Sequence, residues 1–250
     1  MKIPTPTRLL SYLLLVLMGI ATTPHAQNVP LISNNGAMFF INGGQNDSAV
    51  VWVDGTVSHN DSIMVNLGKF IIHGDFINNA ICGGDGSAPL QLPGNNGLFE
   101  MYGDWENNGM YRAGNGKVKF YPQPSGAEDS IRGSSVTTFH DVDLMDTVRA
   151  VQDGINSEIG VNGTLRLNKA EWATDFDTLW VFNTAMGAIQ RSSFCDTCGF
   201  VSSLKDGNLA RATAQNASYL FPTGSSLAIS PNQQQRYRPV HIPPETNPPE

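Results

Sequence analysis

The acidic pairs Asp141/Asp143 and Asp175/Asp177 are the residues whose types and spacing can do chemistry. In a strand, residues i and i+2 share a face, so each pair can converge as a general acid and base or as oxygen ligands for calcium. The run His140-Asp141-x-Asp143-x-x-Asp146 concentrates such groups most densely. Aspartate at a strand end also caps a turn, and that reading prevails because the rest of a catalytic set is missing. The NTD, DD and GHG signatures of β-helix hydrolases do not occur, nor does a G-x-S-x-G elbow or a cysteine–histidine arrangement suited to a nucleophile. Gly83-Gly84-Asp85-Gly86 occurs once, without the repeated aspartates of calcium-binding nonapeptides, and reads as a surface loop. No catalytic residue, cofactor or metal is assigned, and the chain is read as non-enzymatic.

Two further residue sets carry chemistry. Cys195-Asp196-Thr197-Cys198 is a tight disulfide loop, a pair of free thiols, or a CxxC redox or metal fragment. A zinc site would need two more ligands, so a structural disulfide between Cys195 and Cys198, or free thiols, is expected; Cys82 is left without an assigned partner. Trp52, Trp105, Trp172 and Trp180 can stack on sugar rings where exposed. Their strand positions favour core filling, with Trp105 the expected exception because it follows the Gly103-Asp104 corner.

The elements that position these residues follow from composition and repeats. Only 15% of the 250 residues are charged and 40% are hydrophobic, with 25 glycines and 15 prolines. That argues against a charge-laced helical bundle and for an all-β secreted protein. Lys2 and Arg8 precede an apolar run over 9–20, and small residues over 21–26 allow cleavage between Ala26 and Gln27. Residues 1–26 are thus read as a signal peptide. The apolar run falls short of the roughly 20 residues a membrane span needs, so no membrane span is expected. Removing the leader takes away two cations and leaves a net charge of −9. Such a surface disfavours nucleic acid and anionic membranes as partners.

The stretch Gly68-Lys69-Phe70-Ile71-Ile72-His73-Gly74-Asp75-Phe76-Ile77-Asn78-Asn79 returns, at an offset of 29, as Gly97-Leu98-Phe99-Glu100-Met101-Tyr102-Gly103-Asp104-Trp105-Glu106-Asn107-Asn108. The glycine-led start recurs at Gly116, 19 further on, and Gly36, Gly55 and Gly74 are also 19 apart. A basic lap of that shorter spacing, with ten positions inserted over 80–89, accounts for both intervals. Laps this short, with strands of a few residues, suit one coil of a β-solenoid. Strands are expected at 49–53, 63–65, 136–139, 163–167 and 179–182, with glycines and Asn-Asn or Asn-Gly pairs left-handed at the corners. The fold class is therefore all-β, a right-handed parallel β-helix; an antiparallel β-sandwich is the rival, because Asn-Gly also signals hairpins. The domain reading is a signal peptide over 1–26, the solenoid over 27–238, and a proline-rich linker or tail over 239–250.

The ordered motifs Gly74-Asp75-Phe76-x-Asn78-Asn79, Gly103-Asp104-Trp105-x-Asn107-Asn108-Gly109, Gly116-x-Val118-x-Phe120, Val161-x-Gly163-Thr164-Leu165 and Phe221-Pro222-Thr223-Gly224 resemble the N-terminal repeat region of Bacteroidota-type surface proteins. The resemblance covers most of residues 30–243. It implies export by the type IX system and a passive extracellular role as an adhesin-like or gliding-associated surface protein, with other surface proteins, copies of itself or glycans as partners. The tripeptides led by Asp before Ser48, Ser62, Ser130, Thr147 and Thr178 resemble the O-glycosylation acceptors of exported proteins in that group. The same hydroxyls serve equally as turn formers at the start of a strand. The function expected is that of a secreted structural or adhesive protein, self-assembling into fibres through solenoid ends, with a carbohydrate-binding or carbohydrate-active β-helix module as the alternative.

Overall fold

A computed structural model describes residues 31–43, 49–83, 94–154, 158–192, 198–214, 216–225 and 236–243. The expected leader with its Ala26–Gln27 cleavage site, Ser48, Cys195 and residues 244–250 lie outside them.

The chain is a parallel β-solenoid with three strands to a coil. The first coil is β1 (Ile32–Asn34), β2 (Met38–Asn42) and β3 (Val50–Val53), and the second β4 (Val57–His59), β5 (Ser62–Asn66) and β6 (Lys69–Ile72). The third is β7 (Phe76–Asn78), β8 (Ile81–Cys82) and β9 (Leu98–Met101), and the fourth β10 (Trp105–Asn107), β11 (Met110–Tyr111) and β12 (Lys117–Phe120). The fifth is β13 (Asp129–Arg132), β14 (Thr137–Phe139) and β15 (Asp141–Leu144), and the sixth β16 (Arg149–Gln152), β17 (Ile159–Val161) and β18 (Leu165–Arg166). The seventh is β19 (Glu171–Thr174), β20 (Thr178–Val181) and β21 (Ile189–Gln190). β22 (Phe200–Ser203), β23 (Asn208–Arg211), β24 (Tyr219–Phe221) and β25 (Thr223–Ser225) end the stack, and β26 (Arg236–Tyr237) and β27 (Val240–Ile242) return against it.

Every third strand pairs with its predecessor. The first face runs from β1 to β25 in one parallel sheet, and the third from β3 to β21. The second face is two parallel sheets, β2 to β11 and β14 to β23, with the break between the fourth and fifth coils. The antiparallel sandwich is thereby excluded: among the described strands, antiparallel ladders join only β24 with β27 and β25 with β26, and one isolated antiparallel bridge links Asn42 with Leu67. No helix among the described residues is long and apolar enough to cross a membrane.

The repeat read from the sequence is the pairing register itself. Phe70 lies beside Phe99 and Phe76 beside Trp105, at the longer of the two intervals, and Leu98 lies beside Lys117 at the shorter. The lap is not uniform. The offset between paired positions is 19 from Val57 to Phe76, 25 from Ile32 to Val57, and 30 from Thr178 to Asn208. Corners absorb the difference, because only the strand segments must stay in register. Gly36 and Gly55 are accordingly not equivalent despite their spacing. The insertion also moves: Ile81 keeps the short interval from Ser62, whereas Leu98 stands at the long one from Lys69, so the extra residues enter after Cys82 and not over 80–89.

Inward residues of all three faces fill one core. Aromatic rings form its centre, with Phe76 to Trp105 at 4.7 Å and Trp105 to Phe139 at 5.2 Å between centroids. Trp105 and Trp172 are fully buried, so the exposure expected of Trp105 is wrong: the residue after the Gly-Asp corner is the first inward one. Among the described residues Gly36, Gly114, Gly133 and four other glycines take the positive φ expected of corners, but Gly74 and Gly103 have another cause. Gly74 and Gly103 have ordinary φ, but a Cβ on Gly103 would lie 2.5 Å from the Gly74 carbonyl oxygen, and one on Gly74 the same distance from the Gly55 backbone. Coil rests on coil there with no room for a side chain.

The Asn-Asn pairs form ladders, and among the described residues the non-glycine positions with positive φ are Leu67, Thr147 and Asn168. In the outer ladder Asn79 donates to Asn60 at 2.9 Å and Asn108 to Asn79 at 3.1 Å. In the inner one, buried Asn78 donates to Asn107 Oδ1 at 2.6 Å and to the Met110 carbonyl at 3.1 Å. His59 occupies that inner column between Asn34 and Asn78.

Candidate binding surface

The aspartate pairs are spread over different parts of the coil. Asp141 and Asp143 both face outward on the third face and are both engaged. Asp141 accepts from the Thr164 amide at 2.7 Å, and Asp143 sits between Lys117 at 3.4 Å and Arg166 at 2.9 Å. With Glu100, which lies 3.3 Å from Lys69 and 3.9 Å from Lys119, Asp143 forms a ladder of cross-coil ion pairs. Asp175 and Asp177 lie at the corner between the first and second faces, where Asp175 pairs with Lys205 at 2.7 Å. No cluster of three or more metal-ligating side chains occurs among the described residues.

Cys198 is disulfide-bonded and buried, while Cys82 is a free thiol in the core, its pKa pushed up by burial and its sulfur 3.4 Å from Asn95 Nδ2. Ser62 and Thr178 are the first residues of β5 and β20, and Ser130 the second of β13, all half-buried. Thr147 is exposed at a corner with φ of 73°.

What the sequence reading missed is an aromatic platform on the second face. Trp180 and Phe182, two apart near the end of β20, both point outward; they are 39% and 48% exposed, their planes within 5° and their centroids 6.1 Å apart. The row across the strands at Trp180 reads Thr138, Gly160, Trp180, Ala210. Small neighbours leave the ring uncovered. At Gly160 the clearance is required, since a Cβ would lie 2.6 Å from the Phe182 ring. Phe176 is also exposed, with the Lys205 ammonium 4.2 Å from its ring centre. Alternation along 178–182, with Leu179 and Val181 inward, was the available signal.

Beyond the platform, toward the end of the stack, a cavity of about 330 Å³ opens among Thr174, Ser202, Ser203, Asn208 and Thr223. The lining mixes hydroxyl and amide groups with the apolar side chains of Val201 and Leu209, and Asn208 on β23 pairs in register with Thr178 on the platform strand. Flat apolar rings on the second face are thus followed by a recess of mixed polarity at its corner with the first. This arrangement can hold an extended ligand with apolar faces and polar edges. No protein-family model, no curated protein and no solved structure matches the chain.

Proposed function

We propose that the protein is a non-enzymatic extracellular structural or adhesive protein of the cell surface, of the type IX-exported kind its motifs resemble. The expected leader, the acidic surface and the low charge density support export. The observation that carries the adhesive reading is the Trp180–Phe182 platform. Two large parallel rings on the outside of a stack held by ladder hydrogen bonds on both sides make a preorganised contact surface, which lowers the ordering cost of binding. Partners are other surface proteins or glycans.

The glycan reading is favoured by the juxtaposition of rings and polar groups. Sugar rings present an apolar face to an aromatic plane and hydroxyls at the rim, where Thr138 and the exposed Asn162 are available. Glycan-array binding and cell-adhesion assays of the secreted protein test both readings. Trp180→Ala with Phe182→Ala is expected to weaken binding by about 2 kcal/mol or more, as for a central aromatic anchor. Adhesion undiminished by that double change would sink the platform's role. Adhesion without binding to any array glycan would leave protein as the partner.

A further inference from the structure

The first coil differs from the later ones in its edges and in its outward side chains. β1, β2 and β3 are each the end strand of their sheets, and no described strand pairs with their outer edges. Within a strand the N–H and C=O of one residue point the same way and alternate from residue to residue. Lys69 and His73 donate to the carbonyls of Ala49 and Val53, so the amides of Val50 and Trp52 face away from the stack. By the same alternation, the bond from Gly43 to Asn66 turns the amides of Met38 and Phe40 outward. The side chains of these four residues are large, apolar and exposed, Trp52 by 62%. Further along the third face the outward positions carry Ile71 and Leu98 and otherwise charged residues, among them Lys69, Glu100, Lys119 and Asp143.

The opposite end is blunted. β26 and β27 cover β25 and β24 in antiparallel pairing, are two and three residues long, and have Pro239 between them and Pro243 after them. Short strands with proline are poor templates for further pairing. Endless head-to-tail stacking is therefore obstructed on the first face, where β26 closes the sheet, while the first coil stays open on all three among the described residues. The four residues 27–30 that the expected cleavage leaves before Leu31 reach at most about 14 Å, one strand's worth.

We infer that two copies of the chain join first coil to first coil in a closed dimer. A two-fold axis perpendicular to the stack brings the coils end to end, runs their strands antiparallel, carries one face onto itself and exchanges the other two. Such an interface is self-complementary and does not propagate. It goes beyond the adhesive reading and uses none of the platform residues.

Sedimentation of the secreted protein over a concentration series, with hydrogen exchange followed at single amides, tests it. The expected result is one species of twice the chain mass, in which Val50 and Trp52 exchange more slowly than in the dilute monomer. Phe40→Lys with Trp52→Lys, both at exposed positions the fold tolerates, should weaken the dimer by at least about tenfold through like charges brought together, whereas Trp180→Ala should leave it intact. A monomer at every concentration, an open-ended series of larger species, a dimer that survives the two lysines, or one in which Val50 and Trp52 exchange no slower would overturn it.

Discussion

Two buried groups are paired imperfectly, and each gives a pH dependence of known sign. His59 is fully buried beside Phe76, and neither ring nitrogen makes a hydrogen bond of ordinary geometry among the described residues. Burial lowers its pKa to about 4, against a smaller upward pull from Asp61. A base depressed on folding takes up its proton more readily unfolded, so its contribution is intact above about 6.5 and is lost as the pH falls toward 4. Asp129 points inward at a corner, and burial raises its pKa to about 7, opposed by the Gln123 side chain. An acid raised on folding acts the other way: its contribution is intact below about 3.8 and is lost as the pH rises through 7. In urea unfolding, Asp129→Asn should therefore stabilise more at pH 8 than at pH 5. His59→Asn should stabilise at both and more at pH 5, because asparagine continues the column of Asn34, Asn78 and Asn107 and can reach a carbonyl of the next coil as Asn78 does. A His59→Asn protein less stable than the parent at both pH values would contradict the ladder account.

At the scale of elements, the strands tolerate little change at their contacts, whereas the corners tolerate insertion. Gly103→Ala places a methyl group 2.5 Å from the Gly74 oxygen, which belongs to backbone and cannot swing aside. A loss of about 1–3 kcal/mol is expected, as for overpacked cores. Gly187→Ala, in the 3-10 turn over Met186–Ala188, meets nothing within 4 Å and should lie within about 0.5 kcal/mol of the parent. Equal effects in thermal or urea unfolding would refute close coil contact as the reason for Gly103. The strand at 136–139, expected from a β-branched and aromatic run, appears as β14, and 179–182 appears as β20 one residue earlier. Their direction of pairing was legible only through the Gly68 and Gly97 repeat. The outward exposure of Trp52 was not legible, because Val50-Val51-Trp52-Val53 is apolar throughout and has no alternation to read.

For the whole molecule, the constant lap expected from the glycine spacing held only where neighbouring corners have equal length. The return of β26 and β27 was hidden because proline-rich sequence reads as an extended tail, and an antiparallel cap needs only a few residues between prolines. Both departures matter for function, since they shape the ends and the faces on which contact is made. The parallel stacking of coils underlies all of these assignments, and cysteine pairs on β9 and β12 test it directly. Leu98 faces Lys117 and Glu100 faces Lys119, all four with side chains directed outward. Leu98→Cys/Lys117→Cys and Glu100→Cys/Lys119→Cys should therefore both oxidise to intramolecular disulfides, with Cα atoms about 5 Å apart. The crossed pairs Leu98→Cys/Lys119→Cys and Glu100→Cys/Lys117→Cys, at about 8 Å, should not. Ready closure of the crossed pairs and failure of the direct ones is what an antiparallel hairpin would give, and that result would contradict the solenoid.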